Sequence, residues 1–139
     1  MGSNFSKLCI DKGYNVTIMD IVRFNEAWRL KWLDIQDKVN YVWKSTFDIN
    51  ETDIIESDLI FDCACQPDRP LGITSPMYTL SLNLMGTTRL LDTASRMDDY
   101  PTILYPSSCN VFLGVLPENQ PLVETTTPNP INFYAWSKL

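Results

Sequence analysis

Asp58-Leu-Ile-Phe-Asp-Cys-Ala64 is the stretch on which the fold turns. It has the length of a strand and is apolar almost throughout, the pattern of a strand covered on both faces and so of a parallel sheet between helices. Upstream of it, Val39-Asn-Tyr-Val-Trp43 alternates as a strand does and closes at Asp48-Ile49. Asn50, with Asp53 three residues on, resembles a capping arrangement for a short helix. Residues 14–20 read as a further strand, with Val16 and Ile18 alternating and an acid, Asp20, at its end. A helix is expected over residues 4–12, carrying Phe5, Leu8 and Cys9 at helical spacing, with Gly13 as its stop. Between those strands, residues 25–36 place Trp28, Trp32 and Leu33 on one helical face, which predicts a covering helix.

Downstream of residues 58–64, a loop containing Pro67, Pro70 and Gly72 leads to Ser75-Pro76, a cap followed by proline at the first helical position. The helix is expected to run to about residue 96, with Leu80, Leu84, Leu91 and Ala94 facing the core. Residues 102–105 form another buried strand that ends at Ser107-Ser108. Residues 114–130 are rich in proline and lack periodicity, so they read as a long surface loop, after which Asn132 can cap a final helix. Strand and helix alternate throughout, which predicts an α/β fold with a doubly wound parallel sheet and right-handed crossovers.

A chain of 139 residues holds one domain with a real core. Its hydrophobic fraction of 45% and charged fraction of 20% are globular values. A net charge of −6 argues against a nucleic-acid or anionic-membrane surface. No apolar run reaches the length that spans a bilayer, and the N-terminus lacks the basic and apolar regions of a signal peptide. Asn15-Val-Thr17 and Asn50-Glu-Thr52 match the glycosylation sequon but are read as chance. The chain has no histidine, which removes Ser-His-Asp and Cys-His chemistry and histidine metal ligation. Cys9, Cys63, Cys65 and Cys109 have apolar neighbours and no metal-ligand spacing, so free thiols in a reducing, cytoplasmic compartment are expected, with no metal.

The chemistry-bearing stretch is Pro130-Ile-Asn-Phe-Tyr-Ala-Trp-Ser-Lys138. Tyr134 and Lys138 are one helical turn apart and share a face. An ammonium there can stabilise a phenolate and pull its pKa down from about 10 towards neutrality, as a general base requires. Ser108, arriving from a strand end, could share a substrate proton with that tyrosine. Tyr-x-x-x-Lys alone is a weak signal, since a solvated helix face produces it by chance.

The order of motifs resembles the NAD-dependent epimerase/dehydratase family, the extended short-chain dehydrogenases, over nearly the whole chain. Gly2-Ser3-Asn4 is similar to the tail of the glycine-rich phosphate loop, and Asp20 to the acid that holds the adenosine ribose. Asp48-Ile49 resembles the pair placed beside the adenine, and Ala64 the alanine that lies against the cofactor. Asn83-Leu-Met-Gly86-Thr87 is similar to the Asn-x-x-Gly-Thr helix signature, and Ser108, Glu124 and Tyr134-Ala-Trp-Ser-Lys138 complete the order. The resemblance implies a Rossmann-like cofactor domain that takes NAD and acts on nucleotide sugars. Tyr134 would be the base, Ser108 would bind the same sugar hydroxyl, and Lys138 would bind the nicotinamide ribose. Family 4,6-dehydratases carry an Asp-Glu pair just after the catalytic hydroxyl; Cys109-Asn110 stands there in this chain, which favours epimerase-like chemistry. The family's dimer contact would use the helices of Asn83 and Tyr134.

Departures from the family pattern carry expectations of their own. Most of the first strand and its first glycines would precede Met1, and the C-terminal substrate region would follow Leu139, so the resemblance implies a partial domain over residues 1–139. The strands ending at Asp20 and Ala64 would then have to close a gap or expose apolar edges. Lys138, with little helix beyond it, is expected to be frayed. Asp62 stands where relatives commonly have histidine. The alternative is a non-catalytic remnant that serves only as a nucleotide-binding or protein-interaction module.

Overall fold

The structure, a computed structural model, describes residues 1–67, 69–115 and 121–139. The part of the expected long loop at residues 116–120 lies outside the described residues. Contacts divide the chain into two units: Met1–Cys63 with Arg89–Leu104, and Ala64–Thr88 with Tyr105–Leu139.

All four strands described belong to the first unit. β1 (Thr17–Asp20) pairs in parallel with β2 (Asn40–Trp43), and β3 (Leu59–Phe61) pairs in parallel with β4 (Thr102–Leu104). Parallel neighbours need crossovers, and helical segments supply them, as the alternating sequence predicted. Among the described residues the two pairs remain separate two-stranded sheets. The strands ending at Asp20 and near Ala64 therefore do not close on each other, and Leu59 is left exposed.

Successive strand residues point to opposite faces, and β3 uses both. Ile60 packs on a core of Ile49, Ile54, Leu90 and Ala94, which Met19, Met97 and Ile103 also join. Phe61 meets Phe5 of α1 (Gly2–Asp11), their ring centroids 4.5 Å apart. Helices thus cover both faces of β3, the expected doubly wound arrangement. α1 comes very close: a Cβ on Gly2 would stand 2.7 Å from Cys63 Sγ. Of the three apolar residues at helical spacing, Leu8 is exposed.

Local stop signals explain where helices end. Gly13 has φ of 83°, and beyond α1 its N–H bonds the Ile10 carbonyl while Tyr14 N–H bonds that of Cys9, a Schellman motif. The predicted covering helix over 25–36 is cut to α2 (Trp28–Trp32) by the same device. Asp34 adopts φ of 54°, Asp34 N–H bonds the Lys31 carbonyl and Ile35 N–H that of Leu30. Leu30 and Ile35, the two positions that motif brings together, are both buried, and Trp28 and Trp32 face outward, contrary to expectation. α3 (Glu51–Ile54) begins with the predicted capping box: Asn50 Oδ1 accepts from Thr52 N–H, and Asp53 Oδ2 accepts from Asn50 N–H at 2.8 Å.

Two further differences concern the helical run after β3. A helix, α4 (Arg69–Thr74), occupies the expected proline loop, since proline is tolerated in a first turn. The expected single helix is α5 (Pro76–Leu80), a π-helical stretch (Ser81–Met85) and α6 (Gly86–Ala94) in succession. The wider π turn shifts the phase of the run. Its buried positions are therefore Thr79, Asn83, Gly86, Leu90, Thr93 and Ala94, while the predicted Leu84 and Leu91 are exposed. Among the described residues no helix is long and apolar enough to cross a membrane, and none of the four cysteines forms a disulfide.

Candidate active site

Ser108, Tyr134, Lys138 and Asn83 all belong to the second unit. α7 (Phe133–Trp136) starts where predicted, with Asn132 Oδ1 accepting from Ala135 N–H at 2.8 Å. It packs against α4, α5 and the 3-10 turn Cys109–Phe112 that Ser108 caps. Tyr134 and Ser108 therefore lie on contacting elements. The Ser108 hydroxyl oxygen accepts from the Asn110 N–H and the Asn110 Nδ2, each at 3.2 Å. Among the described residues its own proton has no acceptor and is available to donate.

Helix geometry ends before Lys138, which sits in the following turn with its N–H on the Ala135 carbonyl. The expectation of a frayed lysine is overturned: Lys138 is 3% exposed. Its ammonium lies 4.3 Å from the centroid of the Tyr105 ring, and its carbonyl accepts from Ser107 Oγ at 2.6 Å. A desolvated cation is tolerable there because the ring face attracts it.

Behind the turn lies a buried polar network. Asn83, fully buried, accepts from Gln66 N–H at 2.6 Å and donates Nδ2 to the Gln66 carbonyl at 3.2 Å and to Ser137 Oγ at 3.0 Å. Ser137 Oγ donates in turn to the Tyr134 carbonyl at 2.8 Å. The buried amide expected at Asn83 is thus satisfied, and through Ser137 it braces the turn that joins Tyr134 to Lys138. Gly72 of α4 faces Thr79 and Tyr134, at ordinary contact distances for a Cβ placed there. Sequence reasoning did not single out Tyr105, Gln66 or Ser137, and read Asn110 only as standing where family dehydratases carry an acid. Their roles are hydrogen bonds and a ring contact that no spacing rule signals.

The other predicted cofactor residues are placed as follows. In the first unit, Gly2 begins α1, and Asp20 ends β1 with an exposed carboxylate. Asp20 Oδ1 accepts from Val22 N–H at 3.0 Å, which leaves the other oxygen for a ligand hydroxyl. Asp20 is also one of two causes, after burial, that raise the Tyr41 phenol above its ordinary value. Asp48 is exposed, while the side chain of Ile49 is buried in the core. In the second unit Ala64 is exposed. Asp62 is buried, and Glu124 is exposed in its loop. Among the described residues no cluster of side chains could hold a metal ion.

The fold is shared with solved nucleotide-sugar enzymes. UDP-glucose 4-epimerase of Bifidobacterium longum, solved with NAD+ and UDP, superposes with a TM-score of 0.81 at 21% identity, over 98% of this chain and 42% of that one. In sequence, GDP-6-deoxy-D-mannose reductase of Pseudomonas aeruginosa is 37% identical over 82 residues, 59% of this chain and 27% of its own. UDP-glucose 4-epimerase of Mycolicibacterium smegmatis is 25% identical over 142 residues, 100% of this chain and 45% of its own. The chain thus spans less than half the length of these relatives. The architecture is a partial Rossmann-like α/β fold. The family model for GDP-mannose 4,6 dehydratase matches residues 1–139, and the chain belongs to that family, within the NAD-dependent epimerases and dehydratases.

Proposed function

We propose that residues 1–139 form one partial NAD-binding domain of an enzyme that oxidises a hydroxyl of a nucleotide sugar. The observation that carries this reading is the second unit's arrangement of Tyr134, Lys138 and Ser108, a phenol, a buried ammonium and a hydroxyl with a free proton, on one helix end and the turn packed against it. In the first unit, Gly2, Asp20, Asp48 and Ile49 would take the adenosine half of NAD, with the open Asp20 oxygen accepting from the ribose. An acid there repels a 2′-phosphate, which favours NAD over NADP. In the second unit, Ala64, Asn83 and Lys138 would serve the nicotinamide half: Lys138 donates to the ribose hydroxyls and Asn83 holds the surrounding backbone.

NAD, when bound, supplies the hydride acceptor. Tyr134 Oη takes the proton of the sugar hydroxyl, and the Ser108 hydroxyl donates to the same oxygen, holding it in line. Cys109 and Asn110 offer no acid and base for expelling water, so epimerase-like chemistry is favoured over dehydration within this family. The exposed Met77, Leu84, Phe133 and Trp136 suit a homodimer through the helices of Asn83 and Tyr134. A cytoplasmic setting accords with cysteines that form no disulfide among the described residues.

Calorimetric titration with NAD tests the cofactor assignment. Saturable binding is expected, weakened about tenfold or more in Asp20→Ala, the equivalent of one lost charged hydrogen bond. Binding that is indifferent to Asp20, or absent, would remove the assignment. Binding without turnover would leave a nucleotide-binding module instead.

A further inference from the structure

Lys138 has a long, rotamer-rich side chain in a turn beyond a short helix, yet it is almost wholly buried. Among the described residues no carboxylate pairs with it. What meets its ammonium is the ring of Tyr105, at 4.3 Å to the centroid. The same Tyr105 uses its hydroxyl on the backbone of this turn, donating to the Ser137 carbonyl at 2.8 Å. One side chain, just beyond β4, thus fixes both the peptide next to Lys138 and the far end of its side chain. Ser107 Oγ, on the Lys138 carbonyl, ties the same two segments together again.

A cation on a ring face is held by the ring's quadrupole without being neutralised, and it keeps its N–H groups for a ligand. A carboxylate in that place would compete with any hydroxyl for those donors. We propose that Tyr105 is the positioning residue for Lys138: its ring seats the ammonium, and its hydroxyl clamps the turn, so that the lysine meets its ligand already oriented. The seat is a property of the second unit by itself; its consequence for NAD rests on the reading above. Tyr105 touches no ligand in this scheme and acts only through Lys138.

The experiment uses the 139-residue chain with isotope-labelled lysine, Lys138→Gln identifying the resonance. Ring current over the Tyr105 face should shift the Lys138 ε-methylene protons upfield, with Overhauser contacts to the ring. Tyr105→Phe keeps the ring and should keep the shift; Tyr105→Leu removes the ring and should abolish it. NAD affinity should follow the ring, falling about tenfold in Tyr105→Leu and less than about threefold in Tyr105→Phe. A wild-type Lys138 signal at its ordinary position with no ring contacts overturns the proposal, and this needs no variant to fold. A shift that survives Tyr105→Leu overturns it too, as does unchanged NAD affinity once the shift is lost. A wild-type chain that shows the shift but binds no NAD supports the seat and overturns the cofactor reading instead.

Discussion

Replacing Asn83 should cost more stability than any surface change in the second unit. Asn83→Leu keeps the branched heavy-atom skeleton and removes every polar contact of the amide, so hydrogen bonds are lost without a cavity being formed. The Gln66 N–H loses its acceptor at 2.6 Å in a residue only 7% exposed. The Gln66 carbonyl loses the Asn83 Nδ2 donor, and Ser137 Oγ loses a donor but still bonds the Tyr134 carbonyl. A buried group left without a partner costs about 1–3 kcal/mol. Counting the loss of the Gln66 N–H bond to Asn83 in full and the other two in part, the loss is about 2–4 kcal/mol, a large share of the roughly 5–15 kcal/mol that holds a domain folded. For a chain of this size that lowers Tm by about 6–12 °C. Urea unfolding followed by fluorescence, with Trp136 on α7 as a reporter, measures it as a lower midpoint at unchanged slope. A midpoint equivalent to less than about 0.5 kcal/mol of change, the range of an ordinary surface substitution, would refute the network's role.

Other perturbations test separate parts of the account. Gly2→Ala should destabilise by about 1–3 kcal/mol through overpacking against Cys63 Sγ, which a Cβ would approach to 2.7 Å; a double-mutant cycle with Cys63→Ala should recover most of that loss. Asn50→Ala should cost about 1 kcal/mol by removing the cap of α3, seen as a lower Tm. The Arg96 guanidinium holds the Asp92 carboxyl below its ordinary 3.8, so the pair's contribution is present above that value and disappears as pH falls through the lowered one. Asp92→Asn should therefore flatten the acid limb of stability against pH below about 3.8 and change nothing in its slope at neutral pH. Burial, then the charge of Asp20, raise the Tyr41 phenol above 10.0, so the stability that rests on its neutral form is fully present below 10.0 and is lost as pH rises from there through the raised value. Ultraviolet titration should show a late-titrating phenol that vanishes in Tyr41→Phe and titrates earlier in Asp20→Asn.

The sequence was most informative where one residue type has one physical use. Gly13 at a positive φ, the Asn50–Asp53 box and the Asn132 cap all appear as read. So does the buried amide of Asn83, because a polar residue on an apolar helix face must find partners. Periodicity misled where an unannounced backbone change reset the phase. Asp34 in a left-handed conformation stops α2 early and turns Trp28 and Trp32 outward, and aspartate carries no strong signal for that conformation. The π stretch over Ser81–Met85 moves Leu84 and Leu91 off the core face in the same way. Pro70 and Gly72 read as a loop although they stand in a helix, where proline occupies the first turn and glycine admits Thr79 and Tyr134. At the site, Tyr134, Lys138 and Ser108 were legible as a motif. Tyr105 and Ser137 were not, since what matters there is a ring face and a carbonyl brought together from segments far apart in the chain.

The assignment of the general base is tested most directly by turnover of the protein with NAD and UDP- or GDP-hexoses, the sugar products being resolved by chromatography. Tyr134→Phe is predicted to lower turnover by about a hundredfold or more while NAD still binds, since it removes only the group that takes the hydroxyl proton. Turnover unchanged in Tyr134→Phe, or none from the unaltered protein with either class of hexose, would contradict it.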